Sequence, residues 1–313
     1  MNDLHGAEKA DLIVILGATA TGKTLLAARL AHRLGSEIIS ADSRQVYRGM
    51  NLGTGKDYED YIVEGVKVPY HLIDIADPGY KYSVFEFQND FLEVYSLLKR
   101  KGIIPVMCGG TGMYIEAVVN AYRLLPVPPD PERRSELQKK TMAELISMLK
   151  SLSALHNTTD TKHRKRLIRA IEIAEYKHNN QIQDTAFPGL KPIIFGIKFD
   201  RESRRRRITE RLERRLKSGL IDEVKGLLKT IPPESLIYYG LEYKYLTLYC
   251  TGKISYNELF DGLNTAIHQF AKRQMTWFRK MEKEGHVIHW IDGNMDVEEK
   301  TGMMLSLLDK YVY

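Results

Sequence analysis

The sequence predicts an α/β fold: a P-loop NTPase-like parallel sheet flanked by helices, with a helical insertion domain. Three observations carry this. Apolar runs alternate with amphipathic stretches over roughly the first 110 residues, the pattern of strand–helix units joined into a parallel sheet. A glycine loop with G-x-x-x-x-G-K-T spacing, Gly17-Ala18-Thr19-Ala20-Thr21-Gly22-Lys23-Thr24, stands between an apolar run and a helical pattern, the context that such a loop needs. A charged helical block then separates the early strands from a later apolar run, Pro192–Phe199.

Residues 11–16 read as the first strand and 23–34 as the first helix. Glu37–Ala41 reads as a second strand ending in Asp42-Ser43. Tyr82–Lys101 reads as a helix with Val84, Phe85, Phe91, Val94, Leu97 and Leu98 on its apolar face. Gly102–Cys108 reads as a third strand opening into Gly109-Gly110-Thr111-Gly112. Ligands of such sheets sit at the carboxyl ends of the strands. Leu124–Pro131 holds four prolines and cannot be continuous helix. Residues 132–176 read as charged helix and 179–188 as a polar, mobile connection. Pro192–Phe199 rejoins the sheet, and Arg201–Lys283 reads as helix. The expected division is a core of 1–114 and 191–313, with 115–190 as the insertion.

The chain has 313 residues, 43% of them hydrophobic, a formal charge of +6 and a pI near 9.0. That balance permits a nucleic-acid partner without demanding one. The first ten residues lack the pattern of a secretory signal, and no apolar run is long enough to span a bilayer. The two cysteines, Cys108 and Cys250, fit no zinc or redox spacing. A reducing cytoplasm is the expected location.

The loop at 17–24 is a phosphate cradle. Amides at a helix N-terminus bind anions, Lys23 adds a point charge, and the Thr24 hydroxyl is a natural Mg²⁺ ligand. Asp42, at a strand end near this loop, suits a metal held through water or a general base, and equally a helix N-cap. A P-loop ATPase places an acid at the end of a strand such as 102–108. Here that end is Cys108-Gly109-Gly110-Thr111, and Leu72-Ile73-Asp74 lies outside a long apolar run. ATP hydrolysis is therefore disfavoured. Gly109 and Gly110 let the backbone approach a ligand closely, and Thr111 offers a hydroxyl.

Basic clusters follow. Lys162–Arg169 puts Lys165, Arg166 and Arg169 on one helix face. Arg204–Arg207 points around a whole helix, so its four cations do not converge on one ligand. Most such charge runs are solvated faces. In 269–279, Ile267, Phe270, Ala271, Gln274 and Phe278 share a stripe with Lys272, Arg273 and Arg279 beside it, an edge suited to a nucleic-acid strand. The tyrosines of 237–245 suit base stacking or, more commonly, core.

Together these motifs resemble the tRNA dimethylallyltransferases (isopentenylpyrophosphate transferases) over nearly the whole chain. The carriers are the 17–24 loop, Ile38–Lys56, His71–Asp74 with Asp77-Pro78 and Tyr82-Ser83, Gly109–Tyr114, Arg166–Glu172, and Ala271–Gln274 with Trp277. Ile38–Lys56 is the most specific, because a generic P-loop kinase has no need of it. The resemblance implies that the loop and Mg²⁺ hold dimethylallyl diphosphate. The acceptor is the exocyclic amine of the adenosine 3′ of the anticodon in tRNA. Asp42 takes the amine proton, Thr111 sits beside the amine, and Lys23, Thr24 and the loop amides neutralise the departing diphosphate. Asp42, Ser43, Arg44, Gln45, Lys165, Arg166, Arg169, Lys272 and Arg273 bind tRNA, and the family precedent is a monomer.

The chain departs from the family pattern at Ser235–Glu242. Bacterial relatives carry a diphosphate-binding arginine two residues after the serine and a tyrosine–basic pair after the glycine. Here those positions are Ile237, Leu241 and Glu242. A hydrogen bond to a charged group is worth roughly 1.5–3 kcal/mol, about ten- to a hundredfold in affinity, unless Lys244 or one of Arg204–Arg207 substitutes. His268 also replaces a usual arginine. Competing readings are a P-loop phosphotransferase using ATP, a relative acting on free AMP or ADP, and a weakly active or inactive RNA-binding paralogue.

Overall fold

The computed structural model describes residues 9–152, 162–180 and 187–311. Most of the N-terminal stretch and residues 181–186 of the polar connection lie outside them. Among the described residues no helix is long and apolar enough to cross a membrane.

The run Leu12–Gly17 forms β1, wholly buried, as expected for a strand covered on both faces. It pairs in parallel with β6 (Val106–Gly109) on one side and β7 (Pro192–Lys198) on the other. Outward from β6 lie β2 (Ile38–Ser40) and β5 (Tyr70–His71), and outward from β7 lies β8 (Ile288–Asp292), giving the order β5-β2-β6-β1-β7-β8. A small antiparallel hairpin joins β3 (Ile62–Val63) to β4 (Val66–Lys67). The sequence reading did not single out β5 or β8 as strands. β5 is only two residues long, and β8 alternates buried Ile288 and Ile291 with half-exposed residues at the sheet edge.

Helix α1 (Lys23–Leu34) buries Leu26, Ala27, Leu30 and Ala31, and stops at Gly35, whose left-handed backbone returns its amide to Ala31 and His32 carbonyls. Helix α2 (Val84–Arg100) starts at Ser83, whose hydroxyl accepts from the Glu86 amide while Glu86 accepts from the Ser83 amide. Its buried face is Phe87, Gln88, Phe91, Tyr95 and Leu98. Leu97, expected on that face, is exposed; Phe87 takes the core position and stacks on Tyr114 with centroids 4.1 Å apart. Tyr114 belongs to α3 (Gly112–Val119).

The chain divides into two compact units, one of residues up to Ala121 and from Gly189 on, the other Tyr122–Pro188. The second is narrower than the 115–190 expected, because α3 packs with α2. Its described residues include α4 (Pro131–Lys139), α5 (Met142–Leu152) and α6 (Arg164–Asn180) around Leu137, Leu145, Leu149, Leu167, Ile168 and Ile171. Glu172, its side chain only 3% exposed, binds Arg134 through both oxygens and accepts from Arg169.

After β7 the helical region resolves into α7 (Arg201–Lys217), α8 (Leu220–Leu227), α9 (Pro233–Leu236), α10 (Leu241–Cys250) and α11 (Tyr256–Lys283). A 3₁₀ turn, Ile237–Tyr239, leads into α10. Helix α12 (Val297–Leu308) follows β8 and completes the core under α1.

Candidate active site

At the carboxyl ends of β1, β2 and β6 lies a cavity of about 580 Å³, lined within the first unit by the 17–24 loop, 42–45, 53–55, 108–113, α7 and 237–244, and by α11. The loop bends through left-handed backbone at Ala20 and Gly22 before α1 begins at Lys23, which turns successive amides toward one concavity. Thr21 donates to the Ala18 carbonyl at 2.9 Å and braces the turn. Lys23 reaches the same carbonyl at 3.4 Å. Burial pushes its ammonium down from the usual lysine range, while Cys108 and Asp42 oppose this. Of the loop, Thr19, Lys23 and Thr24 face the cavity. Thr24 lies on it with no hydrogen bond to a described residue.

Asp42 and Thr111 line the same cavity. Asp42 Oδ1 accepts from the Arg44 amide at 2.9 Å, which fixes the carboxylate at the strand end as a turn cap. The Thr111 hydroxyl accepts from the Ser43 amide at 3.1 Å and lies 3.3 Å from the Ser43 hydroxyl. Gln45 lines the cavity and donates to the Gly55 carbonyl, bracing the loop. The cap that Asp42 makes is thus of a turn and not of a helix, and its second carboxylate oxygen has no hydrogen bond to a described residue.

Gly109 and Gly110, at the end of β6, have a packing role as well. A Cβ on Gly109 would stand 2.5 Å from the Ala41 carbonyl carbon, and one on Gly110 2.5 Å from Gln274 Nε2. Protein packs closely on one side of these glycines, and both also line the cavity. Gln274 accepts from the Thr19 amide at 2.9 Å and donates to the Gly110 carbonyl at 2.8 Å, clamping the phosphate loop to the end of β6. Cys108 is a buried free thiol, its pKa pushed up to about 12 by burial.

The cations of α7 that face the cavity are Arg211 and Arg215, not Arg204–Arg207. Arg207 instead donates to the Ala20 carbonyl and covers the Phe199 ring. Arg211 donates to the Thr19 hydroxyl at 3.1 Å and to Asp57 at 3.0 Å, and Arg215 pairs with the same Asp57. Burial and the like charge of Arg211 pull Arg215 down to about 10, so it stays cationic at neutral pH. Sequence reasoning missed both because it followed the consecutive run. The signal was the stripe 207, 211, 215, which four-residue spacing places on one helix face.

The 42–58 block is held from outside. Glu223 accepts from the amides of Asn51, Leu52 and Gly53 and from the Tyr243 hydroxyl. The fully buried Lys56 ammonium pairs with Asp74 at 2.5 Å and donates to the Tyr47 carbonyl. Of the departures from the family pattern, Ile237, Leu241 and Glu242 line the cavity and His268 does not. Burial pushes the Glu242 carboxyl up, against the pull of Arg215 and Arg211.

On α11 the buried stripe is Ile267, Ala271, Gln274, Met275 and Phe278. Phe270, expected on it, is 39% exposed, lines the cavity and lies under Arg273. Arg273 lines the cavity; Lys272 is exposed beside it. In the second unit Lys165 and Arg166 are exposed, whereas Arg169 is spent on Glu172 and the Val127 carbonyl.

Comparison with known proteins agrees with this architecture. Residues 45–281 match the IPP transferase family model and 10–70 the isopentenyl transferase model. A tRNA dimethylallyltransferase 2 of Bacteroides fragilis is 58% identical over 96% of this chain and 99% of its own length. A tRNA dimethylallyltransferase 1 of Porphyromonas gingivalis is 55% identical over 95% and 98%. The crystal structure of a full-length tRNA isopentenylpyrophosphate transferase from Bacillus halodurans superposes with TM-score 0.70 at 31% identity, over 97% of this chain and 98% of that one. A eukaryotic dimethylallyltransferase structure, 19% identical, shares the fold at TM-score 0.73 over 95% of this chain and 78% of that one. With a family model matched over residues 45–281 and relatives 55–58% identical over 95–96% of the chain, this protein is a member of the IPP transferase family.

Proposed function

We propose that this chain transfers a dimethylallyl group from dimethylallyl diphosphate to the exocyclic amine of the adenosine 3′ of the anticodon in tRNA, releasing diphosphate. The observation that carries the reading is the single cavity shared by the phosphate loop, Asp42 and Thr111. The names of the relatives supply the group and the RNA.

In the reaction the allylic C–O bond breaks and its electron pair leaves with the diphosphate. The amine nitrogen forms the new C–N bond and loses a proton to Asp42. That amine is conjugated with its ring and is a weak nucleophile, so proton removal as the bond forms lowers the barrier. Thr111, oriented by the Ser43 amide, holds the amine. Lys23, the loop amides, Arg211 and Arg215 neutralise charge on the leaving group. Arg211 and Arg215 thereby stand in for the family arginine at Ile237, with Asp57 as their resting counter-ion. Ile237, Leu241 and Trp277 supply water-poor walls for the cationic carbon. The free hydroxyl of Thr24 fits a hard cation; bound there, Mg²⁺ supplies further neutralisation of the diphosphate. The adenine must leave its stack to enter the cavity. Arg44, Lys272 and Arg273, with Lys165 and Arg166 on the insertion, hold RNA phosphates, which position more than they specify. The work place is the cytoplasm, where both cysteines stay free thiols.

Carbon-labelled dimethylallyl diphosphate and an anticodon stem-loop test this. The label is expected in RNA, and Asp42→Asn is expected to abolish turnover while keeping RNA affinity. Transfer of phosphate in place of the carbon chain would overturn the reading.

A further inference from the structure

One aromatic ring on the cavity is not accounted for by prenyl transfer itself. Of the tyrosines in the 3₁₀ turn, Tyr239 is buried, edge-on to Tyr47 at 4.7 Å, and its hydroxyl accepts from the Gly79 amide. This anchors the turn. Its neighbour Tyr238 lines the cavity yet is 48% exposed, and its hydroxyl has no hydrogen bond to any described residue. Two cations lie over its ring: the Arg44 guanidinium 5.5 Å and the Lys81 ammonium 5.8 Å from the centroid.

An exposed ring at the edge of a reaction cavity, with two long cationic side chains over it, matches one chemistry closely. A nucleobase takes the ring face in place of the cations, which swing out to its flanking phosphates. A prenyl tail has no use for the charges, and a free diphosphate has no use for the ring. The Arg44 amide is bonded to Asp42, so the platform is tied to the carboxylate that meets the target amine. We infer that Tyr238, with Arg44 and Lys81, is the stacking platform for an RNA base adjacent to the adenosine that is modified. The inference rests on the reading of tRNA as acceptor and adds how the enzyme prefers an RNA strand to a free nucleotide. Each stacked base is worth about 5- to 150-fold in affinity.

The test compares Tyr238→Ala, Tyr238→Phe and Tyr238→Trp. An anticodon stem-loop is titrated at equilibrium, and KM is measured for dimethylallyl diphosphate. Tyr238→Ala is expected to weaken RNA binding by about 5- to 150-fold with donor KM unchanged. The Phe and Trp variants are expected to restore affinity, because the ring, not the hydroxyl, does the stacking. A stem-loop with an abasic site beside the target is expected to bind the unaltered protein more weakly and Tyr238→Ala no more weakly still. Unchanged RNA affinity in Tyr238→Ala overturns the inference, as does additive loss with an abasic site on either side of the target. A raised donor KM alone overturns it too, and assigns the ring to the prenyl pocket. Because RNA binding is read without turnover, failure of the unaltered chain to transfer the prenyl group would strike the proposed reaction and not the platform.

Discussion

Gly109→Ala offers the sharpest test of how the fold sets the catalytic geometry. The added methyl would stand 2.5 Å from the Ala41 carbonyl carbon and 2.8 Å from its Cβ, against backbone that cannot rotate away. Restoring an ordinary carbon–carbon separation of about 3.5 Å moves the end of β2 by about 1 Å. Asp42 is the next residue, and its partner Thr111 follows β6, the strand that carries the new methyl. A misplacement of about 1 Å can cost about 100-fold in rate, or about 2.7 kcal/mol of transition-state free energy. Overpacking itself costs about 1–3 kcal/mol of stability. The assay is kcat and KM for donor and stem-loop, alongside urea unfolding. Gly189→Ala is the control, since a Cβ there meets nothing within 4 Å. Expected are a large fall in kcat, a donor KM changed little, and a lower urea midpoint. A fully active Gly109→Ala protein would refute the argument that this glycine spaces β2 from β6. So would a loss confined to donor binding.

Three further outcomes are expected. Arg211→Lys keeps the charge but loses the fork that spans Thr19 and Asp57; donor KM should rise about 10- to 100-fold, from roughly 1.5–3 kcal/mol per charged hydrogen bond, with RNA affinity unchanged. An unaltered donor KM would remove Arg211 from the diphosphate site. Burial, with the neighbouring charge of Asp57, lifts the Asp60 carboxyl to about 6 against the pull of Arg211 and Arg215. Between about pH 4 and 6 the folded state therefore holds a proton that the unfolded chain, with an ordinary carboxyl near 3.9, has released. Stability attributable to this group falls as pH rises through that window, and Asp60→Asn should flatten the profile of urea midpoints; an identical slope in both proteins would contradict this. Glu172→Gln leaves Arg134 and Arg169 short of a charged partner. Their partial exposure brings the cost below that of a fully buried pair, to about 2 kcal/mol. Hydrogen exchange should locate the loss in α4 and α6, and uniform loss across the molecule would count against it.

Local pattern was enough wherever a residue's role is set by its chain neighbours. The 17–24 loop is legible because glycine spacing, flanking strand and helix all lie within about 25 residues, and β1, α1, β2 and β7 follow from runs of apolar side chains. Asp42 and Thr111 were legible as strand-end residues of a parallel sheet. The failures share one cause. Arg211, Arg215 and Phe270 are defined by which face of a helix meets the cavity, and that depends on how α7 and α11 pack against the sheet. Leu97 and Phe87 exchanged places for the same reason: both are apolar, and the packing of α2 on α3 chose between them.

By itself, then, the sequence determined that a phosphate cradle sits at the head of a parallel sheet, that an acid and a hydroxyl end neighbouring strands, and that a charged helical segment interrupts the core. These depend on hydrophobic period and on backbone conformations that only certain residues adopt. Tertiary structure decided which cations of α7 face the cavity, that Gly109 and Gly110 make room for Ala41 and Gln274, and that one tyrosine of a pair is core while the other faces the cavity. Those choices rest on distances between segments up to 255 residues apart, as from Thr19 to Gln274, and no local pattern encodes a distance.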